Sequence, residues 1–176
     1  MRFAYSLIPI AGVLAGNLVA QAVRPKGVVI VAPDSRGPTW DRVYTGYFSG
    51  DILYMNAALE TAFRKVNVDP ARIAIGGFSD GASYALSVGL TNGDLFSAVI
   101  AFSPGFASAG ALVGKPRVFE SHGTSDQVLP IDQTSRLIVP WLLDRGYLVH
   151  YIEFPGGHVI PIEVAHQAVD WWLPGD

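Results

Sequence analysis

The sequence predicts an α/β chain on a mostly parallel sheet of about six strands, with helices on both faces. Short β-prone runs such as "GVVIVAP" (27–33) and "SAVIAFSP" (97–104) are continuously apolar, as strands covered on both faces must be. These runs alternate with stretches at helical spacing, the order that winds a parallel sheet. Composition agrees: of 176 residues 50% are hydrophobic and only 15% charged, so much of the backbone must lie between layers.

The first segment reads two ways. Arg2, an apolar run and the small-x-small "AQA" (20–22) have the form of an export signal over residues 1–22. Alternatively "RFAYSLIPI" is a strand, Ala11-Gly12 a turn and "NLVAQAV" a short helix, which is the expectation adopted here. A cytoplasmic protein follows from that choice, an exported one from the other. A membrane span is not expected, because Pro9, Asn17 and Gln21 interrupt a run that is short for a bilayer. One domain over 1–176 is expected, with 1–26 as a shortened strand-turn-helix and 27–176 as the core.

After "GVVIVAP", the stretch "GDILYMNAALETAFRKV" carries Ile52, Met55, Leu59, Phe63 and Val66 at helical spacing, a core-facing stripe. Further strands are expected at "RIAIGG" (72–77), "PRVFESHG" (116–123) and "YLVHYIEFP" (147–155). Helices are expected at "SDGASYALSVGL", at "DQTSRLIVPWLLDRG" with Asp132 as its N-cap, and at "IPIEVAHQAVDWWL". Pro140 should kink the second of these or end it early.

The charge pattern narrows function. A net charge of -3 without a long basic run argues against nucleic acid as a partner. With no cysteine there is no disulfide, thiol nucleophile or thiolate metal site. The strongest local signal is for hydroxyl chemistry. "GGFSDGAS" holds G-x-S-x-G as Gly77-Phe78-Ser79-Asp80-Gly81, where a strand is expected to end and a helix to begin. A sharp turn there lifts the Ser79 hydroxyl above the sheet, and the helix N-terminus offers N–H groups to a developing oxyanion. The plainer reading is a glycine turn with a serine N-cap.

A serine nucleophile needs a base. His150 lies within a strand pattern and His166 on the last helix, so both are read as structural or surface. His122, in "ESHGTSD", suits a hydrogen-bonded structural role. His158 sits in the glycine loop "FPGGHVIP", able to carry an imidazole over the carboxyl edge of the sheet, and is the candidate base. Asp126 follows the "PRVFESHG" strand at the same edge and is the candidate carboxylate. The chain order Ser79, Asp126, His158 is that of α/β-hydrolases.

With "APDSRGPTWD", "VDPARIAIGGFSDGAS", "FSPGF", "HGTSDQVLPI" and "FPGGHVIPIE" in order, the sequence resembles the α/β-hydrolase superfamily from about Gly27 to the C-terminus. The likeness is to its small carboxylesterase/phospholipase-like and polyhydroxybutyrate-depolymerase-like branch. It implies a truncated α/β-hydrolase fold and a serine carboxylesterase working through an acyl-enzyme, without metal or cofactor. Only 47 residues separate Ser79 from Asp126 (126 minus 79), so no lid domain is expected and small esters are favoured.

Two departures stand out. The family has strands before "GVVIVAP" that this chain lacks, leaving an apolar edge and hence an expected homodimer or higher oligomer. The family's His-Gly-x-Gly turn is here Ala11-Gly12-Val13, so the oxyanion donors are expected to be the backbone N–H groups of Val13 and Asp80. Trp40, Phe78, Phe106 and Leu129 are candidates to line an apolar substrate pocket, and each suits ordinary core equally well. The alternatives are a thioesterase or lysophospholipase on the same three residues, or a hydrolase-like protein that binds without turning over.

Overall fold

A computed structural model of the chain describes residues 5–11 and 27–173. Six strands form one parallel sheet: β1 (Tyr5–Ala11), β2 (Val28–Val31), β3 (Val68–Phe78), β4 (Ala98–Phe102), β5 (Arg117–Gly123) and β6 (Val149–Phe154), in the order β2-β1-β3-β4-β5-β6. Residues 5–11 therefore belong to the sheet. β1 lies between β2 and β3, with Ile8 opposite Ile30 and Ile10 opposite Gly76. Pro9 sits inside the strand opposite Val31 rather than at its end, and that rung lacks one ladder donor. The expected turn beyond Ala11 and the helix after it, Val13 included, lie outside the described residues.

The helices are α1 (Asp41–Thr45), α2 (Gly50–Lys65), α3 (Asp80–Thr91), α4 (Ser135–Asp144) and α5 (Ile162–Trp172). Side chains alternate along β2 to β6, and the two faces hold separate cores. Ile73, Ile75, Val99, Ala101 and Val118 pack with Met55 and Leu59 of α2, with α3, and with Ile138 and Leu142 of α4. On the other face Ala74, Ile100, Phe102 and Phe119 meet Val164, Ala168 and Trp172 of α5. Among the described residues, no helix is long and apolar enough to cross a membrane.

Local expectations fail in three places. Phe63 is exposed, because the stripe of α2 turns away from the sheet beyond Leu59. Asp132 caps no helix: it stands in a 3-10 turn (Ile131–Gln133), exposed and paired with Arg136, and α4 starts at Ser135. Pro140 does not end α4, which runs on to Asp144. Its absent N–H would have reached only the second residue of the helix, and burial of Leu142 holds the last turn in place.

The segment between β2 and α2 is pinned by two buried carboxylates. Asp51 accepts backbone N–H bonds from Arg36 at 2.6 Å and Asp41 at 2.7 Å. Asp41 in turn accepts from Ser49 N–H at 2.7 Å, from its hydroxyl at 2.9 Å and from Asp51 N–H at 3.0 Å. Each acid thus satisfies free N–H groups where a helix begins. This lock holds Thr39 where its hydroxyl donates to Asp80 at 2.8 Å, beside the strand–helix turn at Ser79.

Candidate active site

β3 ends at Phe78 and α3 begins at Asp80, so one residue makes the whole turn. Ser79 takes φ 58°, ψ -124°, a left-handed conformation costly for a residue with a side chain. Its N–H is held by Phe102 O of β4 at 2.9 Å, and its own carbonyl accepts the Ala82 and Ser83 N–H groups at 3.0 Å each. The first glycine of the motif now has a reason. A Cβ on Gly77 would lie 2.3 Å from the Gly81 carbonyl oxygen, so strand and helix close this tightly only without one. The Asp80 N–H, at the first position of α3, has no acceptor within the helix and stands at its positive end.

The sheet order brings the other two candidates to Ser79. His158 Nε2 lies 2.8 Å from Ser79 Oγ, and His158 Nδ1 lies 2.6 Å from Asp126 Oδ2. A carboxylate can only accept, so Nδ1 carries the proton and Nε2 is left to accept from the serine hydroxyl. Asp126 Oδ1 accepts the Val128 and Leu129 N–H groups at 2.8 and 2.9 Å. Burial pushes the Asp126 carboxyl up, yet the bonds from Leu129, His158 and Val128 outweigh it and hold the pKa below the ordinary value. Asp126 is therefore ionised at neutral pH.

The loop carrying His158 is seated on β5 backbone to backbone. Ser125 N–H donates to Gly156 O at 2.9 Å, and a Cβ on Gly123 would fall 2.3 Å from Gly157 O. The Phe78 ring lies 4.7 Å from the imidazole, centroid to centroid. Leu129 packs near Gly105, and Phe106 lines a groove of about 270 Å³ with Gly105, Ala107, Thr134, Leu137 and Trp141. Trp40 goes elsewhere: it is buried in the core, stacked on Tyr84 at 4.6 Å, because α1 and α3 close over it.

The remaining histidines separate as expected. His150 is exposed on β6 and stacks on Phe119 at 5.4 Å; His166 is exposed on α5. His122 is fully buried, with Nδ1 2.6 Å from Ser135 Oγ and Nε2 2.8 Å from Leu129 O. Sequence reasoning passed over Glu120, two residues earlier on β5, which is wholly buried with neither carboxyl oxygen hydrogen-bonded. An acid inside an apolar strand run was the signal available. Burial pushes its pKa up to about 8, with the Ser135 hydroxyl acting the other way, so it is mostly protonated at neutral pH. Among the described residues no cluster of His, Asp and Glu is arranged to hold a metal ion.

Residues 48–144 match the sequence model of the phospholipase/carboxylesterase family. The chain belongs to that family. Solved structures agree on the fold. Esterase PE8 superposes with a TM-score of 0.75 at 24% identity, over 96% of this chain and 91% of that one. The carboxylesterase of Bacillus cereus gives 0.74 at 18% identity, over 96% and 87%. FphF, a fluorophosphonate-binding serine hydrolase of Staphylococcus aureus, gives 0.74 at 14% identity, over 100% and 86%. No curated protein matches the chain in sequence.

Two outcomes are expected of this member of the family. Gly123→Ala should push the Gly156–His158 loop away by about 1 Å, the distance needed to restore ordinary contact. A crystal structure of the variant would then show the Ser79–His158 contact lengthened beyond hydrogen-bond range. For Glu120, the folded pKa of about 8 lies above the ordinary 4.5. Between those values the folded chain keeps a proton that the unfolded chain releases, so stability falls as pH rises through that window. Glu120→Gln cannot ionise and should melt above wild type at pH 8, with the gap closing towards pH 4.5. Thermal melts across this range check it, and a gap independent of pH would contradict it.

Proposed function

We propose that the protein is a serine carboxylesterase that hydrolyses small, short-chain esters through an acyl-enzyme. One observation carries the reading: the unbroken line of contacts Ser79 Oγ–His158 Nε2 at 2.8 Å and His158 Nδ1–Asp126 Oδ2 at 2.6 Å, at the mouth of a helix N-terminus. Ser79 Oγ attacks the ester carbonyl carbon while His158 Nε2 takes its proton. Asp126 holds the imidazole in the tautomer with Nδ1 protonated and stabilises the positive charge it gains. The Asp80 N–H receives the oxyanion, with the Val13 N–H as the proposed second donor. His158 then protonates the leaving alkoxide, and a water activated by the same nitrogen releases the acid and restores Ser79.

The open groove beside Phe106, Leu137 and Trp141 supports an apolar acyl or alcohol group of modest size, with Phe78 and Leu129 flanking the reacting centre. The fluorophosphonate-binding serine hydrolase among the structural neighbours lends support, since such probes react with an activated serine. The β2 edge is unpaired among the described residues, and pairing there supports a homodimer or higher assembly.

Hydrolysis of p-nitrophenyl esters from two to twelve carbons should be fastest at the short end. Ser79→Ala or His158→Ala should lower turnover roughly 10⁴-fold or more, because the three side chains act as a unit. Fluorophosphonate labelling should be lost in Ser79→Ala. Faster turnover of thioesters or lysophospholipids in the same panel would reassign the substrate, and a wild type that neither labels nor hydrolyses would make the protein a binder. Light scattering at high protein concentration should show a dimer or larger; a monomer would sink the edge-pairing idea.

A further inference from the structure

The chain of contacts from Ser79 does not stop at Asp126. His122 Nε2 lies 3.2 Å from the same Asp126 Oδ2 that faces His158, and both partners are inaccessible to water. The protonation of His122 follows from its neighbours. Nε2 is 2.8 Å from the Leu129 carbonyl, which can only accept, so Nε2 carries a hydrogen and Asp126 takes its second arm. Burial pushes the pKa of His122 down, against the pull of Leu129 O and Asp126, so the ring is neutral and Nδ1 is an acceptor. The Ser135 hydroxyl, 2.6 Å away at the start of α4, is its donor.

Behind Ser135 stands Glu120. Its carboxyl is buried without a hydrogen bond, and its neighbours among the described residues are engaged elsewhere. Arg136, the next residue of α4, is held by Glu153 of β6 at 2.9 and 2.6 Å and by Asp132 at 2.7 Å. Tyr151, the neighbour of Glu120 on β6, gives its hydroxyl to Glu153 at 3.1 Å. The β4 neighbour is Ala101. A carboxyl so placed keeps its proton. A neutral carboxyl draws the neighbouring Ser135 proton less than a carboxylate would, and leaves that proton to His122.

We propose that His122 is a positioning residue for Asp126, and that the Ser135 hydroxyl fixes its imidazole in the tautomer that donates to the carboxylate. Asp126 is then held from four sides: by Val128 N–H and Leu129 N–H on one oxygen, and by His158 and His122 on the other. The opposite tautomer of His122 would aim a bare nitrogen lone pair at both Leu129 O and Asp126 Oδ2, and Ser135 would lose its acceptor. The inference rests on the serine-hydrolase reading and adds an inner half to it.

The test begins with ¹⁵N NMR of the unaltered protein, which needs no variant to fold. The His122 ring should show a protonated Nε2 and a hydrogen-bonded, unprotonated Nδ1; the reverse pattern would overturn the proposal. Kinetics supply the second arm. His122→Leu should lower kcat by roughly ten- to a hundredfold, the loss expected when a donor to a charged group is removed. KM should stay within about twofold, since His122 does not touch the substrate. With fewer donors on Asp126, the acid limb of the kcat/KM profile should move to higher pH. His122→Gln, whose amide can place an N–H near Asp126, should restore most of the rate and the original profile. A His122→Leu enzyme with wild-type kcat and pH profile would refute the positioning role. Loss of fluorophosphonate labelling in Ser79→Ala would leave the hydrolase reading standing in that case; labelling that survives Ser79→Ala would bring down the reading itself.

Discussion

Between the end of β3 and the first turn of α3 the backbone closes so tightly that a Cβ on Gly77 would touch the Gly81 carbonyl. That contact of bare backbone sets where strand and helix meet, and it leaves Ser79 alone to reverse the chain in a left-handed conformation. The strain is held from both sides, by Phe102 O on the Ser79 N–H and by the first helical bonds on its carbonyl. A hydroxyl raised above the sheet and N–H groups at a helix start then come together at one point. Neither could be had from a relaxed loop.

The parallel sheet does the rest by placing strand ends side by side. β3, β4 and β5 are neighbours, so residues following β3 and β5 meet over β4 although 47 positions separate Ser79 from Asp126. The His158 loop follows β6 and is returned over the edge by backbone contacts with β5, where Gly123 leaves room. Rigid elements thus fix two of the three side chains. The third hangs on a loop whose path is set by packing against one of them.

Several polar groups of this apolar chain are satisfied in pairs or lines. Asp41 and Asp51 bind each other's helix starts, Arg136 is closed by Asp132 and Glu153, and Asp126 gathers donors from four directions. Glu120 differs from these, an acid with neither oxygen hydrogen-bonded, kept neutral by burial. A chain so poor in charge has few places to spend a buried acid, and this one lies two residues before His122 on the same strand.

Much of this was legible in the sequence, and the reason is local. Continuous apolar runs and helical spacing reveal strands and helices because burial acts on each segment's own pattern, and G-x-S-x-G marks its turn because only glycine permits that approach. The candidates Ser79, Asp126 and His158 were found by their places at strand ends, which follow from order along the chain. What the sequence could not decide depends on neighbours far away in it. Trp40 looked like a pocket residue until α1 and α3 closed over it. Asp132 looked like a helix cap until Arg136 drew it outward. Residues 5–11 could be placed in the sheet only once β2 and β3 stood on either side of them, since an apolar run satisfies its backbone groups only through partners it does not itself encode. The link from Ser135 through His122 to Asp126 likewise needed β5 and α4 packed together, because a hydrogen bond is a matter of ångströms between atoms that the sequence lists apart.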